Sequence, residues 1–197
     1  MDNVALRIDP ATNRVADVVK VRANPVDGVV DSRGLVWIPN RGDASVSIID
    51  SASATLVTTI GVGSSPFVLN DGFGDVWSPS YGGADLRRLR TPRIVEAALA
   101  ESSGSGQSGK VRLIAVAAKK TRVVVTLNGA PPSELVHIHG GRCGAFRAAS
   151  FAPWTLRNGR GSRLVPVPIR TLAGRKYALD VHAKAGEQTY VACANLG

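Results

Sequence analysis

Three histidines and two cysteines hold most of the reactive chemistry of this 197-residue chain, and all five lie in its last third. One motif reads Val136-His137-Ile138-His139-Gly140-Gly141-Arg142-Cys143. The other reads Asp180-Val181-His182, followed by Tyr190-Val191-Ala192-Cys193-Ala194-Asn195-Leu196-Gly197. Three imidazoles can share one metal ion. Such a set suits zinc or copper, and for a given nitrogen site copper binds more tightly. The two cysteines can form a bond or remain buried thiols. A Cys143–Cys193 bond would close a loop of roughly 50 residues, worth about 4 kcal/mol in the chain-entropy model, and would place the domain outside a reducing cytosol.

To serve one ion, the three imidazoles must leave the core on the same side. Side chains alternate across a strand. In segment 135–139, Val136 and Ile138 take the core side, which puts His137 and His139 on the outer face. In segment 177–182, Leu179 and Val181 point inward and His182 points out. Outer-face polarity alone accounts for a His-x-His pair. The third histidine, in the same phase on another strand, favours the metal reading.

The strands that carry these residues belong to a C-terminal half with its own pattern. Apolar runs at 94–100, 111–117, 122–127, 135–139, 163–169, 177–182 and 189–193 predict short strands and no long helix. That pattern indicates an antiparallel Greek-key β-sandwich over residues 92–197. The Ser/Gly stretch 102–109 is read as a hairpin loop, because the runs flanking it are of similar length.

The N-terminal half repeats at about 40 residues. Leu6-Arg7-Ile8-Asp9 recurs as Ser47-Ile48-Ile49-Asp50, Asn24-Pro25-Val26 as Ser65-Pro66-Phe67, and Gly34-Leu35-Val36-Trp37 as Gly74-Asp75-Val76-Trp77. Strand-turn-strand runs of this period, with a fixed Trp, predict partial β-propeller blades over residues 1–90. About two blades leave apolar faces open, so these repeats are expected to be part of a larger propeller, or to pack on another partner. No His or Cys lies in this half to support hydrolase or lyase chemistry.

Charge divides in the same place. Residues 1–85 carry six basic against ten acidic groups, and residues 86–197 carry eighteen against five, for a net +9 over the chain. The basic half favours the approach of a small anion. Nucleic acid is not the expected partner, because the basic residues are scattered and only 5% of residues are aromatic, too few for stacking platforms. No apolar run approaches the roughly 20 residues of a membrane helix. Met1-Asp2-Asn3-Val4 shows no signal-peptide pattern, which leaves a cytosolic protein or a natural N-terminus further upstream.

With these motifs in view, residues 92–197 resemble the Cu/Zn superoxide dismutase-like sandwich, including its bacterial CHRD-type relatives. The carriers are the order of runs 94–100 and 111–117 around the Gly-rich hairpin, then His137-x-His139, Cys143, Val181-His182-x-Lys184 and the ending Ala192-Cys193-x-x-x-Gly197. The resemblance implies that His137, His139 and His182 are copper ligands and that Cys143 and Cys193 form the intrasubunit disulfide. A stable bond between them gives the expectation of an extracytoplasmic location. Two departures stand out. Residues 144–179 hold no His, Asp or Glu, so neither a zinc site nor a fourth copper ligand is expected there. The family's anion-guiding arginine position is Tyr190, with Arg142 and Lys184 as the other cations at hand. Residues 1–90 resemble YVTN and virginiamycin-lyase-like propeller repeats, carried by Arg7-Ile8-Asp9-Pro10-Ala11-Thr12-Asn13-Arg14-Val15. The expected function is therefore a copper-binding, superoxide dismutase-like module fused to a propeller scaffold that offers a surface to a protein partner. The alternative is a copper-only superoxide dismutase.

Overall fold

The structure is a computed structural model that describes residues 2–183 and 189–197. It is all-β apart from a single 3₁₀ turn and a four-residue helix among the described residues. The chain divides into two compact units, Met1–Thr91 and Pro92–Gly197.

In the first unit β1 (Val4–Asp9) and β2 (Arg14–Lys20) form a hairpin. A four-stranded antiparallel meander follows, made of β3 (Val29–Val30), β4 (Leu35–Asn40), β5 (Ser45–Asp50) and β6 (Thr55–Gly61). A three-stranded one then comprises β7 (Asn70–Gly72), β8 (Asp75–Ser80) and β9 (Asp85–Leu89). The 40-residue period reappears in the backbone. Left-handed φ values fall at Asn13 and Ala54, at Asn24 and Ser65, and at Ala44 and Ala84. Pro25 bridges to Asn40 as Pro66 bridges to Ser80. Trp37 is fully buried, and its indole donates to Asp31 at 2.9 Å. Trp77 takes the equivalent place on β8 but donates to the Gly72 carbonyl at 3.1 Å. Leu6, Ile8, Val15 and Val18 of the β1–β2 hairpin remain more than half exposed.

The second unit contains β10 (Ile94–Glu101), β11 (Ser108–Ala117), β12 (Lys120–Asn128), β13 (Ser133–Arg142), β14 (Ala145–Ala149), β15 (Trp154–Arg157) and β16 (Arg160–Val165). After them come α1 (Ile169–Leu172), β17 (Tyr177–His182) and β18 (Tyr190–Asn195). The hydrogen-bonded order is β10-β11-β12-β16-β15-β13-β17-β18, and β18 pairs back to β10. This is a closed eight-stranded barrel, with β14 added at the end of β13. Strands β13, β15 and β16 run as neighbours, and β17 returns beside β13, which is a Greek-key connection.

The all-β, antiparallel expectation is met, and the sheet closes on itself as a barrel. Alternation reports which side of a strand is buried, in a barrel as in a sandwich, but not which strands border each other. The β13–β17 ladder, from Leu135–His182 to Gly140–Tyr177, closes the sheet. The run expected as a strand at 163–169 also ends early, at Val165. Pro166 and Pro168 cannot donate to a ladder, and Pro168 instead starts the short helix α1. Strands β14 and β15 did not register in the apolar runs, because β14 is mostly exposed and β15 spans four residues.

The core is filled by the inward phase of every strand, including Leu113, Val123, Val125, Val136, Ile138, Leu179, Val181 and Ala192. One carboxylate joins that phase. Glu134 lies two residues before Val136, is 2% exposed, and neither carboxylate oxygen accepts a well-formed hydrogen bond. Burial pushes its carboxyl above the ordinary 4.5, against a smaller opposing effect of the Gln107 amide. A charge on this carboxyl is therefore unfavourable in the folded state. Glu134→Leu, facing Leu156 across the ladder, is expected to raise stability at pH 7 by about 1–3 kcal/mol in denaturant titration. Because the raised carboxyl favours the folded state at low pH and loses that advantage as pH rises, the gain should shrink on acidification. A gain that grows toward pH 4 would contradict this.

Candidate metal centre

Phase and register together build the site. On β13, Val136 and Ile138 are fully buried in the core, and His137 and His139 occupy the other face. On β17, Leu179 and Val181 are buried inward, and Asp180 and His182 share the outer phase. Paired residues on neighbouring strands project to the same side. His137 is paired with Asp180, and Asp180 in turn with Cys193 on β18. One row across three strands therefore carries an imidazole, a carboxylate and half of the disulfide.

The structure brings His137, His139 and His182 together with Asp180, one donor atom from each lying within 4.8 Å of the others. The cluster could hold a metal ion. The three rings are 12–20% exposed and the Asp180 side chain 2%. His139 Nδ1 lies 2.9 Å from the Arg147 carbonyl, which can only accept, so Nδ1 carries the proton and Nε2 of the neutral ring is bare. His182 Nε2 lies 2.8 Å from Asp180 Oδ2, so it donates and leaves its Nδ1 bare. The buried polar atoms left without a hydrogen bond include His137 Nδ1, His139 Nε2, His182 Nδ1 and Asp180 Oδ1. Of these, His139 Nε2 and Asp180 Oδ1 face each other across the cluster, and on His182 the atom turned toward Asp180 is Nε2, so an ion bound there would take the place of the Nε2 proton.

Two of these acceptors, His139 Nε2 and Asp180 Oδ1, face each other at 3.2 Å. The contact is favourable only with a cation between the two atoms, either a proton on Nε2 or a metal ion. Three imidazole nitrogens and one carboxylate oxygen are a donor set for zinc or copper. A tetrahedral ion with bonds of about 2.0–2.1 Å holds its donors roughly 3.3 Å apart, so a pair at the full 4.8 Å would close by about 1.5 Å. Burial holds the His137 imidazole below its ordinary 6.5. Asp180 opposes this, and His182 and His139 reinforce it. The neutral, ligating form is favoured.

Asp180 is the residue that the motif analysis missed as a donor. It lies just beyond the acid-free stretch 144–179, and its signal was the same alternation that aligned His182 two positions later. Around the site, Phe146 packs on His139 with ring centres 4.8 Å apart, and Tyr190 meets Phe146 edge-on at 5.1 Å and His182 at 6.4 Å. An aromatic side chain, not a cation, therefore borders the site at position 190. Arg142 is exposed at the end of β13, and Lys184 lies outside the described residues.

Cys143 and Cys193 are disulfide-bonded, with α-carbons 6.0 Å apart. The Cys143 amide also donates to Asn195 Oδ1 at 3.0 Å. The turn that follows the His137–His139 segment is thus tied to the last strand.

No protein-family model matches this chain, and no curated protein matches it. Among solved structures the chain is similar to Kuenenia stuttgartiensis hydrazine synthase, at 14% identity and a TM-score of 0.35. The alignment covers 83% of this chain and 60% of that one, so the chain spans less than two thirds of the structure it matches. A likeness at that level carries no argument about fold or activity.

Two outcomes test the centre. Protein loaded with copper or zinc at pH 7.5 and dialysed should retain about one equivalent and release it on acidification, as imidazoles take protons instead. Asp180→Asn should weaken retention by about tenfold or more, and undiminished retention by His139→Ala would refute the assignment. In metal-free protein, His137 resists protonation when folded but not when unfolded. Stability should therefore decline as pH drops below 6.5, and His137→Asn should flatten that decline in thermal melts.

Separately, chemical reduction should destabilise the second unit by about 4 kcal/mol, the chain-entropy value for a separation of 50 residues. Cys143→Ser with Cys193→Ser, compared with reduced wild type by denaturant titration, checks that the effect comes from this bond.

Proposed function

We propose that residues 92–197 are an extracytoplasmic superoxide dismutase-like domain that binds copper through His137, His139 and His182, and that it acts as a metal-binding and interaction module. The observation that carries this reading is the cluster of His137, His139, Asp180 and His182, with one donor atom of each within 4.8 Å of the others. Imidazole-rich sites favour copper over the other common divalent ions. The Cys143–Cys193 disulfide is compatible with an oxidising compartment. No helix among the described residues is long and apolar enough to cross a membrane. In the first unit, the exposed Leu6, Ile8, Val15 and Val18 support a propeller-like scaffold that takes further blades or a protein partner on that face.

Copper, when bound, would supply one-electron chemistry. The chain's own residues set the conditions around it. The Arg147 carbonyl orients His139 and fixes its tautomer. In the metal-free protein Asp180 accepts a hydrogen bond from His182 Nε2, which holds that ring in place for the ion that would displace the proton. Phe146 and Tyr190 cover the His139 and His182 rings and limit the access of water.

The alternative, a copper-only superoxide dismutase, is favoured by the basic charge of residues 86–197, eighteen Lys/Arg against five acidic groups. Tyr190 in the guiding position and a closed set of four donors favour the non-catalytic module. The deciding experiment measures superoxide consumption by copper-loaded protein against an equal amount of chelated copper. We expect retained copper and turnover no faster than the chelate. Fast turnover that falls with added salt and is abolished by His182→Ala would overturn the module in favour of the enzyme.

A further inference from the structure

On the other side of β13 from the histidines, the barrel carries an open cleft of about 610 Å³ whose lining includes Arg142, Arg147, Ser150, Arg175, Lys176 and Tyr177. Gly140 forms its floor. It has the phase of Val136 and Ile138, and it pairs with Tyr177, which shares the inward phase of β17. A Cβ at Gly140 would meet Arg147 Cβ at 3.7 Å, Arg147 Cδ at 3.8 Å and Ser150 Oγ at 3.8 Å, so the missing side chain leaves room between them. The Gly141 amide donates to the Lys176 carbonyl at 2.9 Å, which joins the two walls.

Four cations thus converge on one concave surface. None of them pairs with an acidic group among the described residues. The chain from 144 to 179, which supplies Arg147, Arg175 and Lys176, holds no acidic residue at all. Four like charges held together repel one another, and a multiply charged anion would relieve that repulsion. Guanidinium forks pair bidentately with phosphate-type oxygens, and the Ser150 hydroxyl adds a further donor. A volume of this size suits a small molecule.

We propose that this cleft is a binding site for a small diphosphate-type anion, gripped by Arg147 and Arg175 with Arg142 and Lys176 at its edges. The site is separate from the metal centre, and its occupancy does not require the metal. The two are joined by a single residue, because Arg147 presents its side chain to the cleft and its carbonyl to His139 Nδ1.

Isothermal titration of the metal-free full chain with inorganic pyrophosphate tests this. Saturable one-to-one binding is expected, weakened about tenfold or more by Arg147→Ala and by Arg175→Ala, each of which removes a charge-assisted pair. Gly140→Leu fills the floor without altering charge and should weaken binding as much. Lys119→Ala, an exposed cation in the β11–β12 turn, should leave it unchanged. A nucleoside diphosphate in a parallel titration separates the two sources of the group: equal affinity points to the free anion, and tighter binding to an ester. In NMR spectra, pyrophosphate should shift the His139 and Tyr177 resonances. Loss of affinity equal in Lys119→Ala and Arg147→Ala, or saturation that leaves those resonances unmoved, would overturn the proposal. Binding of long polyanions only, with none of pyrophosphate, would also overturn it.

Discussion

The antiparallel ladder between β13 and β17 is the constraint on which the second unit rests. It closes the barrel, and its register sets His137 opposite Asp180. A slip of either strand by one residue would turn that strand's donors into the core and its apolar residues out to water. The register is therefore held by the burial of Val136, Ile138, Leu179 and Val181, all fully excluded from solvent. The apolar face specifies the site on the polar face without touching it.

The same ladder concentrates unfavourable electrostatics at one place. Asp180 is almost wholly buried, yet one of its oxygens has no hydrogen bond and faces a bare imidazole nitrogen. A buried charge left unpaired costs several kcal/mol unless something compensates it. His182 offsets part of this through its hydrogen bond to the other oxygen. A cation bound among these donors would offset the remainder. Support for its geometry comes from both ends: the Arg147 carbonyl holds His139, and the disulfide holds the turn after β13 against the strand that flanks Asp180. The centre is thus held by backbone and covalent bonds, and not by loops alone.

Glu134 and Asp180 show how the phase of a strand decides the meaning of a carboxylate. Both are acidic residues in strands of the barrel and both are buried. Glu134 shares the inward phase with core side chains, where its charge has nothing to serve. Asp180 has the outward phase beside three imidazoles, where its charge completes a donor set.

Much of this was legible from residue order. The 40-residue period foretold the recurring left-handed turns of the first unit, and the step in charge and pattern near residue 90 lies beside the division at Thr91 and Pro92. Alternation around Val136, Ile138, Leu179 and Val181 is a local property of an extended chain, so the faces taken by His137, His139 and His182 could be read from spacing. Three things could not. Closure of the sheet depends on which strands are neighbours, and nothing in a single strand encodes its partner. The proline-terminated β16 and the short, exposed β14 and β15 lack the apolar runs by which strands are recognised. Asp180 looked like an ordinary polar residue until the ladder set it opposite His137 and beside Cys193. Sequence alone determined the side on which each donor emerges, because backbone geometry fixes that locally. Only the tertiary pairing of β13, β17 and β18 decided that the donors meet, because their distances depend on segments some 40–50 residues apart being hydrogen-bonded in one register.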